Sequence, residues 1–150
     1  MKLKKVISGG QDGADVTGLA CAKELGLKTG GWMPLGCKTD SGPNRERLLR
    51  YRMWEHPSSN YPPRTEANVR DSDCTLWFGN VTSPGGKCTQ KACERLNKYL
   101  WINPVLSDMR FICETYETIN IAGNRDRTNP GVNKLVYNAF QVIKECMEKV

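Results

Sequence analysis

A glycine-rich segment near the start of the chain constrains the fold more than any other part of the sequence. An apolar pair at positions 6 and 7 leads into Gly9, Gly10 and Gly13. From Ala14 to Leu25, apolar or small side chains recur every three or four positions, which predicts a helix with one buried face. Glycine lets a ligand approach the backbone, and the unpaired N–H groups at a helix start attract anions. The segment therefore predicts a strand, a tight turn and a helix that together cradle phosphate. The spacing matches neither the dinucleotide fingerprint nor the Walker loop, and the same glycines would also suit a turn that binds nothing.

Two later segments repeat this arrangement. Gly85 and Gly86 precede a helical pattern that we expect Thr89 to cap, and Lys87 stands where it could meet an anion on the turn. Residues 123–127 place two arginines between a strand and the last helix. A second Gly-Gly turn before a helix is more than turn geometry requires, so it favours a ligand site.

Strands alternate with helices along the chain, which is typical of parallel βαβ units. We predict one domain over residues 1–150, with a Rossmann-like, three-layer α/β/α fold and a mainly parallel sheet. Loops at the carboxyl ends of parallel strands meet on one side, so the three glycine- or arginine-bearing turns should share one crevice. The other predicted elements are strands over Leu27–Met33, Cys74–Phe78, Leu100–Ile102 and Thr118–Ala122, a short helix capped by Thr65, and a last helix capped by Asn129 with Pro130 in its first turn.

The stretch from Pro34 to Pro63 interrupts the alternation, because five prolines and two glycines break any long element. A long irregular segment in a small domain is usually functional. We therefore predict a lid that folds over the ligand, with a short helix around Glu46–Arg52. Trp32 and Trp54 bracket this region; they would either pack the loop against the domain or stack on a flat ring.

Composition limits the class of protein. The 22 Lys and Arg residues exceed the 16 Asp and Glu residues, a net charge of +6 that weakly favours an anionic partner. No apolar run approaches the roughly 20 residues of a membrane span, and the first residues do not resemble a signal sequence. Seven cysteines without a C-x-x-C pair, together with one histidine, predict reduced thiols, a cytoplasmic protein and no zinc site.

The side chains that could do chemistry are Asp12, Asp15, Glu66 and Cys88, but no pair of them has a spacing that indicates a mechanism. Asp15 could simply cap the first helix, and Glu66 could lie on a solvated face. We therefore predict no catalytic residue and a binding or carrier protein. A nucleotide-processing hydrolase is the alternative, and a nucleic-acid-binding module is less favoured because no strand shows interleaved aromatic and basic residues.

Five motifs occur in order along nearly the whole chain: Ile7-Ser8-Gly9-Gly10-Gln11-x-Gly13-Ala14-Asp15, Gly31-Trp32-x-Pro34-x-Gly36, Arg64-Thr65-x-x-Asn68-Val69-x-x-Ser72-Asp73, Gly85-Gly86-x-x-Thr89 and Ala122-Gly123-x-Arg125. Together they resemble the molybdenum carrier proteins, which belong to a wider set of Rossmann-like domains that includes the lonely-guy phosphoribohydrolases and the DNA-processing protein DprA. The resemblance implies a Rossmann-like fold, an anionic ligand, molybdenum cofactor in the best-known members, and no established catalysis.

The sequence departs from the family pattern at a few positions. Asp12 stands where a threonine is expected, and Asn124 where a proline is expected, which leaves the identity of the ligand open. Gln90 and Lys91 follow Thr89 where the lonely-guy enzymes carry acidic residues. Hydrolysis of nucleoside 5′-monophosphates is therefore not expected.

The predicted ligand is a small anion, either molybdenum cofactor or a nucleotide, bound by a homo-oligomer that does not associate with membranes. The residues predicted to bind it all lie within the five motifs. They are Gly9, Gly10, Gln11, Asp12, Gly13, Asp15, Trp32, Arg64, Thr65, Asn68, Gly85, Gly86, Lys87, Thr89 and Arg125.

Overall fold

A computed structural model describes residues 1–149 and contains an alternating series of strands and helices. In chain order these are β1 (Lys5–Ser8), α1 (Ala14–Glu24), β2 (Lys28–Gly30), β3 (Trp32–Met33), a 3-10 turn (Leu35–Cys37), β4 (Lys38–Thr39), β5 (Gly42–Pro43), α2 (Arg45–Arg50), β6 (Trp54–Glu55), α3 (Tyr61–Arg70), β7 (Cys74–Phe78), α4 (Pro84–Arg95), β8 (Tyr99–Ile102), α5 (Leu106–Thr115), β9 (Thr118–Gly123) and α6 (Val132–Glu148).

Five of these strands form one parallel sheet in the order β2-β1-β9-β7-β8. Helices α1, α5 and α6 cover one face, where they bury a large apolar core with Val6, Leu76 and Ile121. Helices α3 and α4 cover the other face over a smaller cluster around Val69. The predicted Rossmann-like α/β/α architecture is confirmed.

The second strand of the sheet is shorter than the sequence predicts. The expected strand Leu27–Met33 divides at Gly31 into β2 and the separate strand β3. Gly31 has a φ of +119°, and a Cβ atom there would lie 2.1 Å from the carbonyl oxygen of Ser8. The chain crosses so close to β1 that only glycine fits, and this crossing redirects it out of the main sheet.

The predicted caps of α3 and α4 are wrong. Helix α3 begins at Tyr61, four residues before Thr65, because prolines are tolerated in a first turn where their missing N–H groups have no intrahelical acceptor. Helix α4 begins at Pro84, and the hydroxyl oxygen of Ser83 accepts a hydrogen bond from the Gly86 N–H at 3.2 Å. Thr89 is therefore a buried residue inside the helix.

The predicted cap of α6 is also wrong. Asn129 and Pro130 precede the helix, which begins after Gly131 in a left-handed conformation with a φ of +93°. The Asp126 carboxylate accepts hydrogen bonds from the N–H groups of Gly131 and Asn133 at 3.2 and 3.3 Å. A carboxylate from the preceding loop thus takes the role expected of Asn129.

One helix, α5, was not expected from the sequence. It follows the edge strand β8, and this part of the surface exposes large apolar side chains. They are Tyr99, Ile102, Val105, Leu106 and Phe111. Exposed apolar patches of this kind are typical of protein contacts, and the homo-oligomer stays a prediction.

The segment 34–63 is more ordered than the sequence suggests. It carries α2 close to the predicted position, and its last three residues form the first turn of α3. Leu48, Tyr51 and Met53 are buried against Leu19 of α1 and Met33, which fixes the base of the segment to the domain. Closure of this segment over a ligand stays a prediction.

Among residues 1–149, no helix is both long enough and apolar enough to cross a bilayer. All seven cysteines are free thiols, and five of them are buried as small core residues.

Gly85 and Gly86 should respond in opposite ways to alanine. A Cβ atom at Gly85 would make an ordinary contact 3.7 Å from Trp77, whereas one at Gly86 would lie 2.2 Å from the Val81 carbonyl oxygen. We expect Gly85→Ala to raise the free energy of unfolding by up to about 1 kcal/mol through helix propensity. Gly86→Ala should lower it by about 1–3 kcal/mol through overpacking. Urea unfolding of both variants measures this, and an equal gain in both would contradict the packing described for Gly86.

Candidate functional site

A crevice of about 440 Å³ opens where β1, β9 and β7 end. The turn after β1 supplies one wall, α3 a second, and the first turns of α4 a third. The end of β9 and the residues that follow it, Asn124 and Arg125, form the remaining wall. The three turns therefore meet at the carboxyl ends of the parallel strands, as this topology requires.

Most of the predicted site residues line this crevice, and the rest do not. Those that line it are Gly9, Gln11, Asp12, Asp15, Arg64, Thr65, Asn68, Gly85, Thr89 and Arg125. Those that the structure places elsewhere are Gly10, Gly13, Trp32, Gly86 and Lys87.

The three glycines outside the crevice are needed for packing within the protein. A Cβ atom at Gly10 would lie 2.9 Å from the methyl group of Met53. At Gly13 it would lie 2.5 Å from the backbone of Arg125, and Gly86 faces Val81 as described above. Gly13 and Gly86 require glycine because backbone of another segment approaches them, and Gly10 favours glycine because its φ of +68° lies in the left-handed region.

Lys87 and Trp32 also point elsewhere. The Lys87 side chain is exposed on α4 and does not line the crevice. Trp32 lies on a different surface, where its indole N–H donates a hydrogen bond to the Asp71 carboxylate at 2.8 Å. Trp54 packs edge-to-face against Trp32, with ring centroids 4.9 Å apart, and neither tryptophan lines the crevice.

Arg64 and Asp15 form a buried ion pair in the crevice wall. Their side chains are 13% and 6% exposed, and Arg64 Nη1 lies 3.7 Å from Asp15 Oδ2. A Cβ atom at Gly9 would lie 1.6 Å from the same Nη1, so this glycine leaves the space that the guanidinium occupies. Burial raises the pKa of Asp15 to about 6, although the charge of Arg64 opposes the shift.

Four buried polar atoms on residues of the crevice lack a hydrogen-bond partner within residues 1–149. Two are acceptors, Gln11 Oε1 and Asn120 Oδ1, and two are donors, Arg64 Nε and Trp77 Nε1. An unsatisfied buried polar group costs about 1–3 kcal/mol, and native proteins contain few of them. Because all four belong to residues that line one cavity, the crevice is the strongest candidate for a ligand site.

Asp12 fastens the segment 34–63 to the crevice. It forms an ion pair with Arg47 at 3.0 Å and accepts a hydrogen bond from Ser41, while Arg47 also donates to the Gly10 carbonyl oxygen at 2.7 Å. Partial burial alone would raise the pKa of Asp12, but the hydrogen bonds from Ser41 and Arg47 and the charge of Arg47 lower it below its usual value. The departure from threonine at this position thus has a structural role.

A second ion pair connects the same segment to the loop after β9. Asp40 lies 3.6 Å from Arg125 and also pairs with Arg127. Because Asp12 and Arg125 both line the crevice, the two ion pairs hold residues 40–47 at its rim.

The remaining candidates for chemistry are separated. Glu66 forms a surface ion pair with Arg95 at 3.0 Å, which agrees with a solvated face, and Cys88 is a half-buried thiol in the crevice lining. In the described part of the chain, no group of three or more His, Cys, Asp and Glu side chains could hold a metal ion.

Sequence reasoning missed Tyr61, Trp77 and Asn120, which all line the crevice. Asn120 carries a detectable signal, because it is the polar residue in the middle of the otherwise apolar run Ile119–Ala122. Its amide nitrogen donates a hydrogen bond to Thr75 at 3.1 Å, which leaves the amide oxygen unsatisfied.

Comparison with known proteins places this chain in a family. A comparison with curated proteins gives no match. The chain is similar to a protein of Syntrophus aciditrophicus SB whose crystal structure is named "Putative molybdenum carrier protein", with 30% sequence identity, a TM-score of 0.81 and 94% of each chain covered. The family profile described as "Circularly permutated YpsA SLOG family" matches residues 6–144. The resemblance to the molybdenum carrier proteins is thus confirmed, and the chain belongs to the circularly permuted YpsA SLOG family.

Proposed function

We propose that this protein binds a small anionic ligand in the crevice, with molybdenum cofactor as the first candidate and a nucleotide derivative as the second, and that it acts as a carrier. The four unsatisfied polar atoms of the crevice carry this proposal. They form a mixed set of donors and acceptors, which suits a heterocyclic ring better than a bare inorganic ion. Arg64 adds a buried positive charge for the anionic group.

Molybdenum cofactor fits this set of residues by its chemistry. It combines a pterin ring, which carries hydrogen-bond donors and acceptors, with a phosphate group. Asn120 and Gln11 would accept from the ring, Trp77 would donate to it, and Arg64 would pair with the phosphate. The cofactor supplies redox chemistry to the enzymes that receive it, so a carrier needs only to hold it. The name of the similar Syntrophus aciditrophicus protein supports the same candidate.

The carrier function is favoured over hydrolysis by the positions of the carboxylates. Glu66 pairs with Arg95 at the surface, and Asp15 is held by Arg64 inside the wall. Gln90 and Lys91 replace the acidic residues that follow the corresponding threonine in the lonely-guy enzymes. Within residues 1–149, the two carboxylates that line the crevice, Asp12 and Asp15, are each paired with an arginine, so neither is free to activate water.

Replacing Asn120 by leucine should separate binding from stability. The change removes an unsatisfied buried oxygen, and it also removes the hydrogen bond that the amide nitrogen donates to Thr75. These two effects oppose each other, so the free energy of unfolding should change by no more than about 1–2 kcal/mol. Affinity should fall about tenfold or more, because a ligand loses a hydrogen bond worth about 1–3 kcal/mol. Calorimetric titration with a pterin monophosphate and with AMP measures the affinity, and urea unfolding measures the stability.

Lys87→Ala is the matched control, since Lys87 is a nearby cation that does not line the crevice. It should leave the affinity unchanged. Equal affinities for the wild type and Asn120→Leu would contradict the proposed site. Release of adenine during the AMP titration would instead establish the hydrolase alternative.

The buried carboxyl of Asp15 should make stability depend on pH. Its pKa is about 6 in the folded protein and about 4 in an unfolded chain, so the folded state binds more protons between these values. The free energy of unfolding should therefore fall as the pH rises from about 4 to 6, by up to about 1.4 kcal/mol per pH unit relative to Asp15→Asn. Urea unfolding of both proteins across this range measures the difference, and parallel curves would contradict a raised pKa at Asp15.

A further inference from the structure

A second cavity, of about 880 Å³, lies along the edge strand β2 and shares no lining residue with the crevice. We call it the basic groove. Five cationic residues and two tryptophans line it, with one carboxylate. They are Lys5, Lys23, Lys28, Arg50, Arg52, Trp32, Trp54 and Asp71.

The basic groove concentrates the positive charge of the protein. Five cations and one carboxylate give it a net charge of +4, against +6 for the whole chain. The carboxylate, Asp71, is already engaged by Arg70 at 2.9 Å and by the Trp32 indole. Of the five cations, Arg50 pairs with Glu46, and the other four form no ion pair within residues 1–149. Most of the charge is therefore available to a partner.

The cations come from separate elements and do not converge from one loop. Lys5 of β1 and Lys28 of β2 are paired in register across the sheet. Lys23 lies in the last turn of α1, Arg50 is the last residue of α2, and Arg52 follows that helix. Cations that are spread over several elements match the row of phosphates in a polyanion better than they match a single phosphate group.

Arg52 occupies a position that normally favours glycine. It follows α2 in the left-handed region, with a φ of +53°, where glycine has no steric penalty. The chain places an arginine there, and its side chain lines the basic groove.

Trp54 adds a surface for stacking. It is 64% exposed, and its ring is supported edge-to-face by Trp32 at an interplanar angle of 79°. An exposed tryptophan beside unpaired cations is a suitable platform for a nucleic-acid base, since stacking on aromatic side chains does not depend on the base.

We propose that the basic groove binds single-stranded nucleic acid, with phosphates on its lysines and arginines and a base on Trp54. An acidic peptide would satisfy the charge but would leave the exposed tryptophan unused. The sequence shows no strand with interleaved aromatic and basic residues. This surface gives no such pattern because its residues come from separate elements, among them β1, α1, β2, α2 and β6.

The test measures binding of a fluorescently labelled single strand of about ten nucleotides by anisotropy, across a range of salt concentrations. Arg52→Gly suits this test because glycine favours the same backbone conformation, so the fold is retained. It should weaken binding about fivefold at roughly 0.1 M salt. The slope of the logarithm of the binding constant against the logarithm of the salt concentration should become shallower by about 0.7. Trp54→Ala should weaken binding about tenfold.

Lys134→Ala removes an exposed cation on α6, outside the basic groove, and should have no effect. Failure of the wild type to bind, or an equal loss in Lys134→Ala and Arg52→Gly, would overturn the proposal. Polyglutamate or inorganic polyphosphate that binds as tightly as the oligonucleotide, with no effect of Trp54→Ala, would show that the groove recognises charge alone and would also overturn it.

Discussion

The buried contact among Arg64, Asp15 and Gly9 organises the crevice. The guanidinium lies where any side chain at Gly9 would be, and Asp15 lies 3.7 Å away to balance its charge. This contact fixes α3, which carries Arg64, against the turn that follows β1. Burying a cation is costly unless it is paired, so the pair and the glycine depend on each other. The Nε atom of Arg64 remains unsatisfied, and a ligand anion would complete its environment.

The fold could be predicted from the sequence because its signals are local. The starts of three helices and part of the site could not be predicted. Cys74–Phe78 is a run of buried-type side chains, and the structure has the strand with these same bounds. The predicted caps were wrong because several Ser, Thr, Asn and Asp residues near each helix start could act as the cap. The backbone path decides that the Ser83 hydroxyl and the Asp126 carboxylate do so. Gly86 is an example of a site residue that was predicted wrongly. The sequence shows a glycine at the start of a helix, but only the fold shows that it faces Val81 and does not line the crevice.

The two cavities use positive charge in different ways. Arg64 is buried beside unsatisfied donors and acceptors, so an interaction with it is directional and little screened by salt. The lysines of the basic groove are mostly exposed, so their attraction is long-ranged, weakly directional and sensitive to salt. The first arrangement suits a specific small ligand, and the second suits a polyanion. The segment 34–63 contributes to both, since Arg47 contacts the turn at Asp12 while Arg50 and Arg52 line the groove.

The central claim is that the crevice holds an anionic heterocycle, and the contents of the natively purified protein test it most directly. Mass spectrometry of small molecules released by denaturation should identify one pterin or nucleotide derivative in an amount comparable to that of the protein. The same molecule should be depleted when Trp77, whose indole N–H is unsatisfied, is replaced by phenylalanine. A purified wild-type protein that releases no anionic heterocycle, and takes none up from a cell extract, would contradict the account.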